Sequence, residues 1–390
     1  MSDDRARIYL DHNATSPLRP EARMAMERVF GLSHANPSSM HLEGREARAL
    51  LDHARLAVSN LAGCRPQEVV FTSGGSEAIA AAVRGVCDRA PDDRRRIVVG
   101  GGEHSAVLES ARLAARRGGL VVPVSSGQDG RVDIDRFLMH LGPDVALACL
   151  QWANNETGVI QPIEEIGRAC RERGVPFLVD AVQAAGKVEI GLQRSYADMM
   201  AVSGHKIGGP QGIGALIVRS GVVLAPLIAG GAQEKRRRGG TENVAGIAGF
   251  GAAAEMAVTE IREESRRLLR MRAHVETRLR EFYPTVRFHG QVASRLPNTV
   301  NFAIPGVSGE MLTIALDLAG IAVSTGSACA SGAVEPSHVL LDMGFEEDEA
   351  RAAVRVSLGW STTTDEVEEF LTRFPEVVEQ VREGLGQHAS

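Results

Sequence analysis

Cysteine is scarce and poorly spaced for cross-linking. The 390 residues hold five, Cys64, Cys87, Cys149, Cys170 and Cys329, and no two of them form a CxxC pair. An odd count at wide spacing excludes a disulfide framework and a cysteine zinc site, and reads as reduced thiols in a cytoplasmic setting. No run of about 18 apolar residues is present, so a membrane span is not expected. The charged opening MSDDRARIYL lacks the apolar stretch of a secretion signal. Basic charge is not in excess either: 43 Lys and Arg against 49 Asp and Glu leave a net charge of −6, which weighs against nucleic-acid binding by bulk charge. GxGxxG and GxxxxGK[ST] are both absent, which argues against a dinucleotide fold or a P-loop enzyme.

What the chain has is apolar content and glycine. At 44% hydrophobic residues it is no disordered segment, and its length suits two packed domains. Glycine, at 42 residues, exceeds the usual share of ~7% and points to tight turns or backbone approaches to a ligand. Short apolar runs at Val69–Thr72, Ile97–Val99, Leu120–Val124, Val145–Leu150, Phe177–Val179, Met199–Val202 and Ala215–Val218 alternate with amphipathic stretches such as Ile163–Arg173. This alternation predicts an α/β domain with a mostly parallel sheet covered on both faces. After residue 250 the pattern changes. Ile261, Leu268, Val275 and Phe282 recur every seven residues and predict one long helix ended by Pro284. A capping box at Thr363–Glu366 opens a terminal helix. The boundary falls near residue 255. The expected division is a large domain over 16–255 and a smaller α+β domain made of 1–15 with 256–390, with a connecting helix over about 256–283 and a cysteine-bearing loop over about 323–333.

The candidate chemistry clusters at strand ends. In FTSGGSEA, Gly74, Gly75 and Ser76 precede a helix and form either a plain turn or a phosphate nest. Asp180, ending PFLVD, is either a helix cap or the partner of a ring-nitrogen cation, with Gln183 one turn on. Ser203, His205 and Lys206 follow a strand among glycines, where desolvation lowers a lysine's pKa and favours Schiff-base chemistry. Lysine, upstream carboxylate and phosphate nest together match the pattern of pyridoxal phosphate sites. His104 follows another strand and suits proton transfer or stacking on a flat ring. Asn154, Asn155 and Glu156 form a polar turn or a set of donors to an anion. Arg355, inside an apolar strand pattern, needs a partner, either a structural carboxylate or a substrate carboxylate. Cys329 has the least apolar neighbourhood of the five thiols and is the candidate nucleophile.

The order of these segments is more specific than any one of them. YLDHNATSPL, NPSSMHLEG, FTSGGSEA, EHSAVLES, NNETGVIQPIEEIG, VDAVQAAGK, SGHKIGGPQGIGAL, RRRGGTENVAGI and STGSACAS run from residue 8 to about 360. In this order they resemble the cysteine desulfurase family, in the branch with the short SGSAC loop that serves iron–sulfur cluster assembly and nitrogen fixation. The resemblance implies a fold-type I transferase dependent on pyridoxal 5'-phosphate, a homodimer, with the cofactor in the large domain. It implies that Lys206 bonds the cofactor, Asp180 pairs with its ring nitrogen, Gln183 with its ring hydroxyl, and His104 stacks on the ring and carries protons. Gly75, Ser76, Ser203 and His205 would hold the phosphate, and Thr241 would reach the phosphate of the neighbouring subunit. Asn155, at the cofactor, and Arg355 would hold the carboxylate of the substrate L-cysteine. Cys329 would take the sulfur as a persulfide, release L-alanine and pass the sulfur to an acceptor such as an iron–sulfur scaffold protein. The sequence departs from the family at Ser76, where Thr is common, at Ala78–Ile79–Ala80, at Gly208 and Gln211, and in a short tail. A selenocysteine lyase, an aminotransferase and a non-catalytic scaffold are the alternative readings.

Overall fold

The computed structural model describes residues 7–32, 36–116, 118–325 and 335–387. Seven strands form one sheet. From edge to edge they are Val69–Thr72, Gly214–Val218, Met199–Ser203, Phe177–Asp180, Val145–Gln151, Arg96–Gly100 and Leu120–Val124. The last five in this order are mutually parallel. Gly214–Val218 is antiparallel to both of its neighbours, so Val69–Thr72 runs the same way as the parallel five. Six carboxyl ends therefore open on one rim, where open α/β sheets bind ligands. All seven expected strands occur, extended at most by a residue at either end.

The apolar runs are continuous because both faces are covered. Phe177, Val179, Met200 and Val202 face one core, shared with the helices Leu42–Leu61 and Val244–Phe282. Their neighbours Leu178, Met199 and Ala201 face the other, under the helices Gly75–Cys87 and Ser105–Ala115. A separate core gathers Leu268, Met271, Val275 and Leu279 with Phe302, Val356, Phe370 and Phe374, and takes in Ile8 and Leu10 from the start of the chain. It is built on a four-stranded sheet with the order Ser324–Thr325, Val354–Ser357, Thr299–Ala303, Arg287–Phe288, antiparallel throughout. The capping box forms as expected: Thr363 N donates to Glu366 Oε2 at 2.7 Å and Glu366 N to Thr363 Oγ1 at 3.2 Å.

One boundary differs. The long helix runs over Val244–Phe282, starting about a turn after Gly240 rather than near 256, and is capped by Asn243, which accepts from Gly246 N. Its first part, VAGIAGFGAAAE, has no charged face, so heptad spacing missed it. Small residues are needed there because the helix lies against Pro20–Phe30 and Leu42–Leu61 at close range. A Cβ on Gly251 would sit 2.5 Å from Ala54 Cβ, and one on Gly249 would sit 2.8 Å from Met26 Cγ. This helix also corrects the expectation on membrane spans: it is long and apolar enough to cross a bilayer, but most of that stretch is buried inside the protein. Gly251→Val should cost about 1–3 kcal/mol through overpacking, read as a lower denaturant midpoint; an unchanged midpoint would contradict the close helix contact.

Candidate active site

A cavity of about 360 Å³ opens on the rim of carboxyl ends. Each contributing strand delivers its chemistry in the residues just past its end. Gly75 and Ser76 follow Val69–Thr72, His104 follows Arg96–Gly100, and Asn155 follows Val145–Gln151. Asp180 ends its strand with Gln183 behind it, and Ser203, His205 and Lys206 end or follow Met199–Ser203. Arg355 reaches the same cavity from the small sheet. Ten of the residues singled out in the sequence thus line one cavity. Thr241 is exposed and lies outside it. Cys329 falls at 326–334, outside the described residues.

Lys206 Nζ donates to the carbonyls of Asn13, at 2.6 Å, and Ala14, at 2.7 Å. Burial and the positive Arg355 push its pKa down to about 8, against the pull of Asp11 and Asp180. A lysine so placed is a usable nucleophile near neutral pH. Burial pushes the Asp180 carboxyl above its ordinary value, although Val182 N donates to Oδ1 at 3.0 Å and His104 and Lys206 pull the other way. A carboxyl in this setting is relieved by a cation beside it. Burial and Lys206 push His205 down to about 4, so it stays neutral, and its Nδ1 lies 3.2 Å from Thr15 Oγ1. His104 caps its helix: Nδ1 accepts from Ala106 N at 3.1 Å. The neutral ring must then carry its proton on Nε2.

The helix Gly75–Cys87 begins at the cavity, so its free N–H groups and positive end are available to an anion. Glycine is required at 75, since a Cβ there would stand 2.8 Å from Val182 Cγ2. Arg355, only 4% exposed, donates to Asp11 Oδ1 at 2.6 Å and to Asn155 O at 3.1 Å, while its Nε has no partner. The structural carboxylate weighed from the sequence is therefore present, as Asp11. Asn154 builds the turn: its Oδ1 accepts from Glu156 N and Thr157 N. The side chain of Asn155 has no hydrogen-bond partner among the described residues and remains available to a ligand. The other four thiols are poor nucleophiles, with burial pushing Cys64 and Cys170 up to about 12, Cys87 up to about 11, and Cys149 up as well.

Sequence reasoning assigned no role to Asn13 and Ala14, although both lie in the motif DHNAT. Asn13 Nδ2 donates to Asn155 O and to Thr299 Oγ1, and its carbonyl accepts from Gln183 Nε2 as well as from Lys206. Ser16 N and Arg19 N donate to His205 O and Gly208 O, which seats this segment on the Lys206 turn. An amine with lowered pKa, a buried carboxyl, and a helix N-terminus around one cavity fit a flat cationic ring that carries an aldehyde and a phosphate.

The aminotransferase class-V family matches residues 8–370. A cysteine desulfurase of Cereibacter sphaeroides is 44% identical over 380 residues, covering 96% of this chain and 97% of its own. One from Trichormus azollae is 41% identical over 375 residues, covering 96% and 94%. The crystal structure of a NifS-like protein from Rickettsia africae superposes with a TM-score of 0.87 at 33% identity, covering 96% of this chain and 99% of that one.

The lysine carries a direct prediction. In the cofactor-free protein, acylation of Lys206, followed by peptide mass spectrometry, should rise with pH through a midpoint near 8, because only the unprotonated amine reacts. A midpoint near the ordinary 10.5 would contradict the desolvated site.

Proposed function

Because this chain belongs to the aminotransferase class-V family and, within it, to the pyridoxal-phosphate-dependent cysteine desulfurases, we propose the following roles for its residues. The observation that carries them is the pairing, across one cavity, of a lysine shifted to about 8 with a buried carboxyl whose charge needs a cation. When bound, the cofactor supplies an aldehyde that bonds the substrate amine and a ring that accepts the electron pair left at its Cα. Lys206 would hold that aldehyde and, as an amine of lowered pKa, would serve as the base inside the cavity for the Cα proton. His104 carries protons through Nε2. Asp180 keeps its charge against a protonated ring nitrogen, and Gln183 donates to the ring oxygen. Gly75, Ser76, Ser203 and the neutral His205 receive the phosphate at the positive end of the helix Gly75–Cys87.

Arg355 and Asn155 hold the substrate carboxylate. Asp11 keeps the guanidinium ordered beforehand for the arriving anion. Cys329 attacks the substrate sulfur. One S–S bond forms, the substrate C–S bond breaks, and a proton fills the vacated carbon position. L-cysteine and a thiol thus become L-alanine and a persulfide with nothing else consumed. The sulfur then passes to an acceptor protein, with an iron–sulfur scaffold as the expected one, in a reducing, cytoplasmic setting. Thr241, exposed and outside the cavity of its own chain, supports a homodimer in which it serves the phosphate of the second copy. The same reading divides the chain near residue 255 into a cofactor domain and a smaller one.

Incubation with L-cysteine should leave a persulfide on Cys329 and release L-alanine, and Cys329→Ala should do neither. Equal alanine release by that variant would overturn the thiol's role. Arg355→Leu should raise KM for L-cysteine by roughly 10- to 100-fold, the worth of a charged hydrogen-bonded pair; an unchanged KM would place the substrate carboxylate elsewhere.

A further inference from the structure

The chain has three lysines, Lys187, Lys206 and Lys235, among 43 basic residues. Lys187 has no part in the chemistry above, yet it is 7% exposed and lies behind the cavity wall. Its Nζ donates to Gln183 Oε1 at 2.8 Å and to Asn13 Oδ1 at 3.2 Å. Asn298 Nδ2 donates to the same Asn13 oxygen at 3.0 Å, which fixes the sense of that amide. The Lys187 backbone is held too, by Ser265 Oγ on its carbonyl at 2.6 Å. Gln183, with its oxygen facing the amine, turns Nε2 to the Asn13 carbonyl at 2.9 Å, the carbonyl that also receives Lys206. One N–H of Gln183 is thereby spent on Asn13, and the second is left for the cavity that Gln183 lines.

The geometry points to Lys187 as a positioning residue that locks the amide of Gln183 with its N–H group toward the cofactor's ring oxygen and steadies the Asn13 carbonyl that receives Lys206. This rests on the role proposed above for Gln183. Lysine suits the position for a physical reason. The basic groups that act on it are Lys206 and Arg355, with His12 beside it held neutral, and burial next to them favours an amine that can give up its proton. An arginine cannot. An unprotonated amine still has two N–H donors, the number of oxygens it meets here.

The consequence is spectroscopic. A donor on the ring oxygen favours its unprotonated form, so losing the donor raises the pH at which the visible band of the bound cofactor titrates. In the loaded enzyme without substrate, Gln183→Ala should raise this midpoint by about one pH unit, a tenfold change in acidity. Lys187→Met should raise it by at least about half a pH unit, a threefold change in acidity, and the double variant should match Gln183→Ala alone. A wild-type midpoint in cofactor-loaded Lys187→Met overturns the inference. So does an additive double variant, since loss of a distant charge acts without Gln183. If Lys187→Met does not fold, Lys187→Gln is read by the same criteria, with a smaller shift expected because its amide can still donate. A wild-type midpoint in Gln183→Ala overturns the assigned role of Gln183, and this inference with it. A shift in Gln183→Ala with none at Lys187 overturns this inference alone.

Discussion

The two hydrogen bonds from Lys206 Nζ to the carbonyls of Asn13 and Ala14 join the start of the chain to the middle of the central sheet. They hold an amine at the rim of the sheet, under a positive Arg355, where it is readily unprotonated. Carbonyls accept from either protonation state without supplying a charge, so the amine is oriented but not stabilised as a cation in the way a carboxylate would stabilise it. Such a lysine can be both a point of covalent attachment and a base. The carboxylates that could have paired with it are engaged elsewhere: Asp11 with Arg355, and Asp180 on the strand end with Val182 N.

The segment 11–19 is therefore a structural part of the site. It bridges the small sheet, through Asn13 N to Ser357 Oγ and Asn13 Nδ2 to Thr299, to the turn that carries Lys206. Arg355 and Lys206 are tied together through the same residues, since Asn13 receives Lys206 and, like Arg355, donates to the carbonyl of Asn155. A change in the packing between the central and small sheets would shift Arg355 relative to Lys206 across the cavity that both line.

The strands and their order were legible because a sheet covered on both faces leaves apolar runs with turn residues at their ends. The placement of the site was legible for a related reason: polar residues at strand ends sit next to those runs, so Asp180, Ser203, Lys206 and His104 could be put on one rim from local position, while the roles expected of them rested on the order of the motifs. Asn13, Ala14 and Lys187 could not. The contacts of Asn13 and Ala14 with Lys206 span about 190 residues of sequence, and a polar motif near the chain start looks like any exposed turn. Lys187 follows a helical spacing from Gln183, yet nothing local shows that its amine is buried against Asn13. The first part of the long helix was missed for the opposite reason: its glycines and alanines are a response to neighbouring helices that sequence periodicity does not display.

Reduction of the loaded enzyme with borohydride, followed by peptide mapping, tests the assignment of Lys206 most directly. With three lysines in the chain, the position of the label is unambiguous. The reduced cofactor should be found on Lys206, with Lys187 and Lys235 unmodified; a label on Lys187 or Lys235, or none on any lysine, would contradict the site described here.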